Sequence, residues 1–157
     1  MTYEAGIVVR LATKEDLPAL LPMMDCFVED QRSIGEPNQR DYLLIAARQA
    51  LATGQALVVA ADEKELVGYL IWTAFPGAPK GEVLGAGTYV APGYRGKGIA
   101  ARMQRYALHH LFDMGYEWVT GAVALKNEAA IHLIGATGAE ITGYVIRWRR
   151  PRSLQPE

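Results

Sequence analysis

Thr88-Tyr89-Val90-Ala91-Pro92-Gly93-Tyr94-Arg95-Gly96-Lys97-Gly98-Ile99-Ala100 is the stretch that decides how this 157-residue chain is read. A β-branched strand end, a glycine-rich basic turn and a helix start follow one another without a gap. A helix N-terminus carries four amides with no intrahelical partner and the positive end of the backbone dipole, so it suits an anion. Gly96 and Gly98 let the backbone come close to such a ligand, and Arg95 and Lys97 add formal charge. The combination points to a phosphate or pyrophosphate. The plainer reading is a loop whose glycines merely satisfy turn geometry.

Two familiar phosphate motifs can be tested against this turn. The P-loop pattern G-x-x-x-x-G-K-[ST] fails, because Lys97 is followed by Gly98. Gly96-x-Gly98-x-x-Ala101 does fit the dinucleotide pattern G-x-G-x-x-A, with Glu117 at about the spacing of a ribose-binding acid. That pattern, however, follows its strand immediately and sits near the start of a parallel sheet. Here five residues intervene, and several strands come first.

Working outward, residues 7–11 form a short β-branched run, followed by the cap-like Thr13-Lys14-Glu15-Asp16. The spacing of Leu17, Leu20, Leu21, Met24 and Phe27 predicts a helix to about Glu29, with first turns made irregular by Pro18 and Pro22. Cys26 reads as a buried filler on it. A second helix over residues 39–53 ends at Gly54. Residues 56–61 and 66–75 are apolar runs joined by Asp62-Glu63-Lys64-Glu65, a hairpin pattern. Residues 82–90 form a strand containing Gly85 and Gly87, which signals a bulge or a close approach. A helix follows from about Gly98 to Met114, then a strand over 118–123, a short helix over 127–137 and a last strand over 139–148. The expected class is α/β, with order β-α-α-β-β-β-α-β-α-β and a mixed, mostly antiparallel sheet of six or seven strands flanked by about four helices. Residues 1–150 read as one domain and 151–157 as a frayed tail.

The rest of the composition narrows the function classes. Half the residues are apolar, and 16 basic residues face 17 acidic ones for a net charge of −1, so nothing advertises a polyanionic partner or an anionic membrane. The basic, aromatic run from Arg147 to Arg152 alternates as a half-buried strand does, and the expectation is no nucleic acid. One cysteine excludes an intrachain disulfide and a cysteine-rich zinc site. With no signal-like or membrane-spanning run, the chain is expected to be cytoplasmic, without membrane contact and without a metal.

The sequence also resembles a known family, the GNAT superfamily of acyl-CoA-dependent N-acyltransferases. Its motif [Q/R]-x-x-G-x-[G/A] matches Arg95-Gly96-Lys97-Gly98-Ile99-Ala100, preceded by V-x-P as Val90-Ala91-Pro92. A second element, N-x-x-A-x-x-L, is present as Asn127, Ala130 and Leu133, followed by Gly138. The resemblance covers nearly the whole chain and includes the element order. It implies acetyl-CoA as donor, with the main-chain amides from Arg95 to Ala100 on the pyrophosphate. The pantetheine arm would run along the strand of Thr88 and Val90, and Asn127 would meet its thioethylamine end. The Gly85/Gly87 bulge would open the sheet beside the thioester, and the Val90 N–H would polarise the acyl oxygen.

This chain departs from the family where its general-acid tyrosine is expected: Ile134 stands there, and the following GF pair reads Gly138-Ala139. A thiol of pKa about 8.5 leaves as thiolate at pH 7 with a handicap of only about 2 kcal/mol. An alkylamine of pKa about 10.4 must lose a proton first, at roughly 4.6 kcal/mol. The base is the larger need, and Glu82, at the start of the glycine-bearing strand, is the candidate. Solvent, Tyr94, Tyr144 or Tyr89 could serve as the acid where geometry allows. His132 lies about 200° around its helix from Ile134, while His109 and His110 close their helix near its carbonyl end. Arg102 and Arg105 either meet an outer phosphate or are solvated surface charge.

The reading is therefore an N-acetyltransferase that moves an acetyl group from acetyl-CoA to an amine by direct attack on the thioester. The alternative is a catalytically silent acyl-CoA-binding or sensor domain of the same fold; nicotinamide redox chemistry is a distant third. The acceptor is a small-molecule or peptide amine. Glu29, Asp30 and Glu36 suit a cation, whereas Arg32 and the terminal arginines suit a carboxylate. An unpaired apolar edge at the last strand suggests a pocket completed by a second subunit in a homodimer.

Overall fold

The computed structural model describes residues 6–36, 39–78 and 81–143. Its elements run β1 (Ile7–Leu11), α1 (Leu17–Ser33), α2 (Arg40–Thr53), β2 (Ala56–Asp62), β3 (Glu65–Thr73), β4 (Glu82–Val90), α3 (Ile99–Asp113), β5 (Trp118–Thr120) and α4 (Glu128–Thr137), with 3-10 turns at Lys14–Asp16 and Pro92–Tyr94. The five strands form one sheet in the order β1-β2-β3-β4-β5. The first four are antiparallel neighbours, and β5 lies parallel to β4. A parallel pair needs a crossover, and α3 supplies it.

The order matches the sequence reading through α4, but the sheet has five described strands rather than six or seven. The expected last strand fails in its first part: residues 139–143 are neither helix nor strand, and residues 144–148 lie outside the described residues. The strand over 118–123 shortens to Trp118–Thr120. In place of an end near Glu29, α1 runs on to Ser33 and contains Pro22. Leu20, Met24, Phe27 and Val28 hold one face of α1 in the core, so tertiary burial outweighs the single helical bond a proline removes. That register leaves Cys26 exposed rather than buried.

Two apolar layers sandwich the sheet. Leu20, Met24 and Phe27 of α1 and Leu43, Ala46, Ala47 and Ala50 of α2 pack on Leu57, Val59, Tyr69 and Ile71. Ile99, Met103, Ala107 and Leu111 of α3 pack on Val58, Leu70, Trp72 and Val83 from the other side. Because both faces of β2 are covered, residues 56–61 are buried without alternation, as a central strand requires. A buried Leu or Met contributes roughly 1.5–3 kcal/mol, so these two layers carry most of the folding drive.

The glycine-bearing strand does contain a bulge. Ile71 pairs with Gly87 and Trp72 with Gly85, which leaves Ala86 as the extra residue of β4. Its glycines are there for packing: a Cβ on Gly87 would sit 3.2 Å from Leu43 and 3.3 Å from Phe27, and one on Gly85 would sit 3.1 Å from the Trp72 indole. Beyond Leu84 the pairing with β5 stops, since the register runs only from Glu82↔Trp118 to Leu84↔Thr120. The sheet therefore opens just past the bulge.

Candidate active site

The direction of the open edge follows from a single hydrogen bond. The Ala91 N–H donates to the Val67 carbonyl at 2.8 Å, which makes the pair Gly68↔Val90 one whose own amides and carbonyls point away from each other. Alternation gives Leu70↔Thr88 the same character. The N–H groups of Val90 and Thr88 consequently face outward from β3, along the stretch where β5 no longer covers β4. The Thr88 side chain shares the face of Leu70, toward α3.

At the end of this edge the chain makes the 3-10 turn Pro92–Tyr94 and then the glycine-rich loop. The Tyr94 hydroxyl donates to the Asp62 carboxylate at 2.8 Å, anchoring the turn to the end of β2. Gly96 and Gly98 take φ of +75° and +76°, the left-handed region that a residue with a Cβ enters at a cost. Gly98 is the N-cap of α3 and has no side chain with which to cap it, while its carbonyl accepts from the Arg102 N–H at 3.0 Å. The amides of the first turn, Ile99 and Ala100 among them, are thus presented outward at the positive end of a 15-residue helix. Ile99 is buried and fixes that end against the core. The Arg95 N–H, by contrast, is directed at the Pro92 carbonyl at 3.3 Å and belongs to the turn.

The Arg95 side chain turns back. Its Nε donates to the Val90 carbonyl at 2.7 Å and its Nη2 to the Asp30 carboxylate of α1 at 2.8 Å, with the guanidinium 5.4 Å from the Tyr89 ring centre. The Lys97 ammonium lies 5.7 Å from the Tyr94 ring centre. Tyr89 itself stacks on Tyr69 and faces the exposed Cys26 thiol; burial, then Cys26, raises its phenol above the ordinary range.

Glu82 sits at the other end of β4, where the Thr120 hydroxyl donates to its Oε1. Val90 is eight positions further along β4, roughly 26 Å at 3.3 Å each, which is beyond direct proton transfer between Glu82 and a group held at the Val90 N–H. Thr88, next to the bulge, is the outward donor nearer to Glu82. Asn127 caps α4, its Oδ1 accepting from the Ala130 N–H at 3.1 Å, and half-buried Ile134 lies further along that helix.

Of the other candidates, Tyr94 is engaged by Asp62, and Tyr144 lies outside the described residues. His110 meets the Gly54 carbonyl at 2.7 Å, a structural contact, while His109 and His132 are exposed. Arg102 donates to the Ile7 carbonyl at 2.9 Å, tying α3 to β1. Glu117 precedes β5 at the far end of α3, about 22 Å from the glycine loop, which removes the ribose role a dinucleotide site would give it. Sequence reading missed Asp30 as the partner of Arg95 and Thr120 as the partner of Glu82. Neither leaves a sequence signal, because each contact is made across the sheet or between layers.

A family model described as the acetyltransferase (GNAT) family matches residues 21–138, well over half of the chain. The chain belongs to the GNAT acetyltransferase family. Solved structures of similar fold include the ribosomal-protein-alanine N-acetyltransferase of Brucella melitensis, with TM-score 0.73, 24% identity, and coverage of 87% of this chain and 86% of that one. YncA of Salmonella typhimurium, a putative acetyltransferase solved with acetyl-CoA, gives TM-score 0.74 at 20% identity over 88% of this chain and 82% of that one. AAC(6')-Iy, solved with a CoA-linked bisubstrate analogue of an acetylneamine, gives 0.71 at 18% identity over 92% and 98%. A search of curated protein sequences finds no significant match. The glycine loop opens the helix that follows β4, and no helix among the described residues is long and apolar enough to cross a membrane.

Proposed function

We propose that this chain transfers an acetyl group from acetyl-CoA to an amine by direct attack of the amine on the thioester carbonyl. A C–N bond forms, the C–S bond breaks, the amine loses a proton and the departing thiolate gains one. The observation that carries the reading is the continuity of an outward-facing strand edge, Thr88 to Val90, with an uncapped helix N-terminus at Gly98 to Ala100. An extended arm ending in a pyrophosphate fits that continuity: the edge offers amides to the arm, and the helix end offers amides and dipole to the anion. Family membership and neighbours solved with CoA or acetyl-CoA support the same donor.

Within this reading the acyl group lies beside the bulge, and the Thr88 N–H is the donor to the acyl oxygen as it gains charge. The Val90 N–H, further along, holds the arm. Glu82, oriented by Thr120, lies six strand positions from Thr88, roughly 20 Å along β4, and takes the amine proton through a relay of several waters. No acid stands at Ile134, and the thiolate leaves unaided at the modest cost given above.

Ile134 also favours a second reading, an acyl-CoA-binding sensor that keeps the donor site without turnover. Calorimetric titration with acetyl-CoA, followed by thiol release against aminoglycosides, polyamines, amino acids and N-terminal alanine peptides, separates the two. Neighbours named for aminoglycoside and ribosomal-protein acetylation motivate both ends of that panel. Binding with thiol release for one amine class supports the transferase. Binding with none supports the sensor, and absence of binding overturns both.

A further inference from the structure

We propose that Arg95 is a positioning residue for the outward edge of β4 and not a phosphate ligand, an inference that rests on the donor-site reading above. In the [Q/R]-x-x-G-x-[G/A] turn a cationic side chain beside a helix N-terminus invites the opposite assignment. The geometry points away from it: three contacts spend the guanidinium elsewhere. Nε donates to the Val90 carbonyl at 2.7 Å, Nη2 donates to Asp30 at 2.8 Å, and the planar group lies 5.4 Å from the Tyr89 ring centre. Holding these partners fixes the plane and direction of the guanidinium fork against β4 and α1.

The position of the Val90 carbonyl gives the contact its consequence. Val90 is the last residue of β4, its N–H and C=O both face the open side, and β5 does not reach it. The Ala91 N–H, bonded to the Val67 carbonyl at 2.8 Å, holds the peptide after Val90 on its β3 side, and what holds the outward Val90 carbonyl fixes that peptide on its open side. Arg95 holds it, and Asp30 holds Arg95 by anchoring it to α1, whose Met24, Phe27 and Val28 are packed in the core. The chain of contacts therefore runs from the core through α1 and Asp30 to Arg95 and the carbonyl of Val90, the residue whose N–H lines the arm of the donor. The ion pair is half-exposed on both sides, so its role is to orient the fork rather than to stabilise the fold.

The test compares two probes by calorimetry: acetyl-CoA, and adenosine 3'-phosphate 5'-diphosphate, which carries the phosphates without the arm. Arg95→Met keeps the stem over Tyr89 and removes both hydrogen bonds. The expected result is an acetyl-CoA affinity about tenfold weaker, with affinity for the nucleotide changed by less than about twofold. Arg95→Gln, which retains a neutral donor for the Val90 carbonyl, recovers part of the loss. Asp30→Asn weakens acetyl-CoA in the same direction by a smaller factor, and adding it to Arg95→Met weakens binding no further, because both act through one contact. Parallel loss of both probes in Arg95→Met, or tighter binding of both in Asp30→Asn, would make Arg95 a phosphate ligand and overturn the proposal. Failure of the unaltered protein to bind either probe would instead overturn the donor-site reading itself.

Discussion

Arg10 of β1 grips Asp16 at the head of α1 through two hydrogen bonds, Nη1 to Oδ2 at 2.7 Å and Nη2 to Oδ1 at 2.9 Å. The same carboxylate accepts from the Thr13 N–H at 2.8 Å, so one side chain closes the turn that joins strand to helix. The Arg10 hydrogen bond, against some burial, holds the Asp16 carboxyl below its usual range. A lowered carboxyl contributes stability that is present above its unfolded pKa of about 3.9 and is lost as pH falls through the lower folded value. Asp16→Asn should cost about 1–2 kcal/mol at pH 7, and urea unfolding should show the gap from the unaltered protein closing below about pH 4.

Gln55 is buried where β2 begins, and its Oε1 accepts from the Thr73 hydroxyl at 2.5 Å and the Ala74 N–H at 2.8 Å. Its Nε2 donates to the Tyr116 hydroxyl at 2.5 Å. Gln55→Leu keeps the volume but orphans the buried Thr73 hydroxyl and the Ala74 amide. The expected loss is about 2–3 kcal/mol in chemical denaturation, with the fold retained by circular dichroism.

Gly98 heads α3 with φ +76°, and a Cβ there meets nothing within 4 Å. Gly98→Asp and Gly98→Asn share the backbone cost, about 1 kcal/mol, since both residues tolerate the left-handed region. Only aspartate adds a negative charge where an anion is to sit. Acetyl-CoA affinity should fall at least tenfold further in Gly98→Asp than in Gly98→Asn, at equal melting temperature, by calorimetry.

Glu82 receives the Thr120 hydroxyl across the parallel β4–β5 pair. With an amine that supports turnover, Glu82→Gln should lower kcat about a hundredfold with little change in acetyl-CoA affinity. Thr120→Val, which removes the hydroxyl that orients the carboxylate, should lower kcat several-fold. An equal loss of acetyl-CoA affinity in either variant would assign Glu82 to the donor site instead.

Much of this architecture was legible because it is written in local chemistry. Gly54 and the apolar period before it marked the end of α2, the charged Asp62-Glu63-Lys64-Glu65 turn marked the β2–β3 hairpin, and Gly85 with Gly87 marked the bulge. The readings that failed depended on neighbours. α1 reads as ending near Glu29, yet it runs on to Ser33, with Asp30 of its last turn paired to Arg95. Cys26 reads as apolar filler from its type alone, whereas the helix rotation set by buried Leu20, Met24 and Phe27 turns it outward.

The sequence by itself determined the glycine-rich turn, its place between a strand and a helix, and the succession of elements through α4, since propensity, capping and hydrophobic period act over a few residues. The tertiary structure alone decided that Asp30 meets Arg95 across 65 positions, that Thr120 meets Glu82, and that Glu82 and Val90 stand at opposite ends of one strand. Those relations depend on strand register and on how far two strands stay paired, which are set by packing between layers and leave no local trace in the chain.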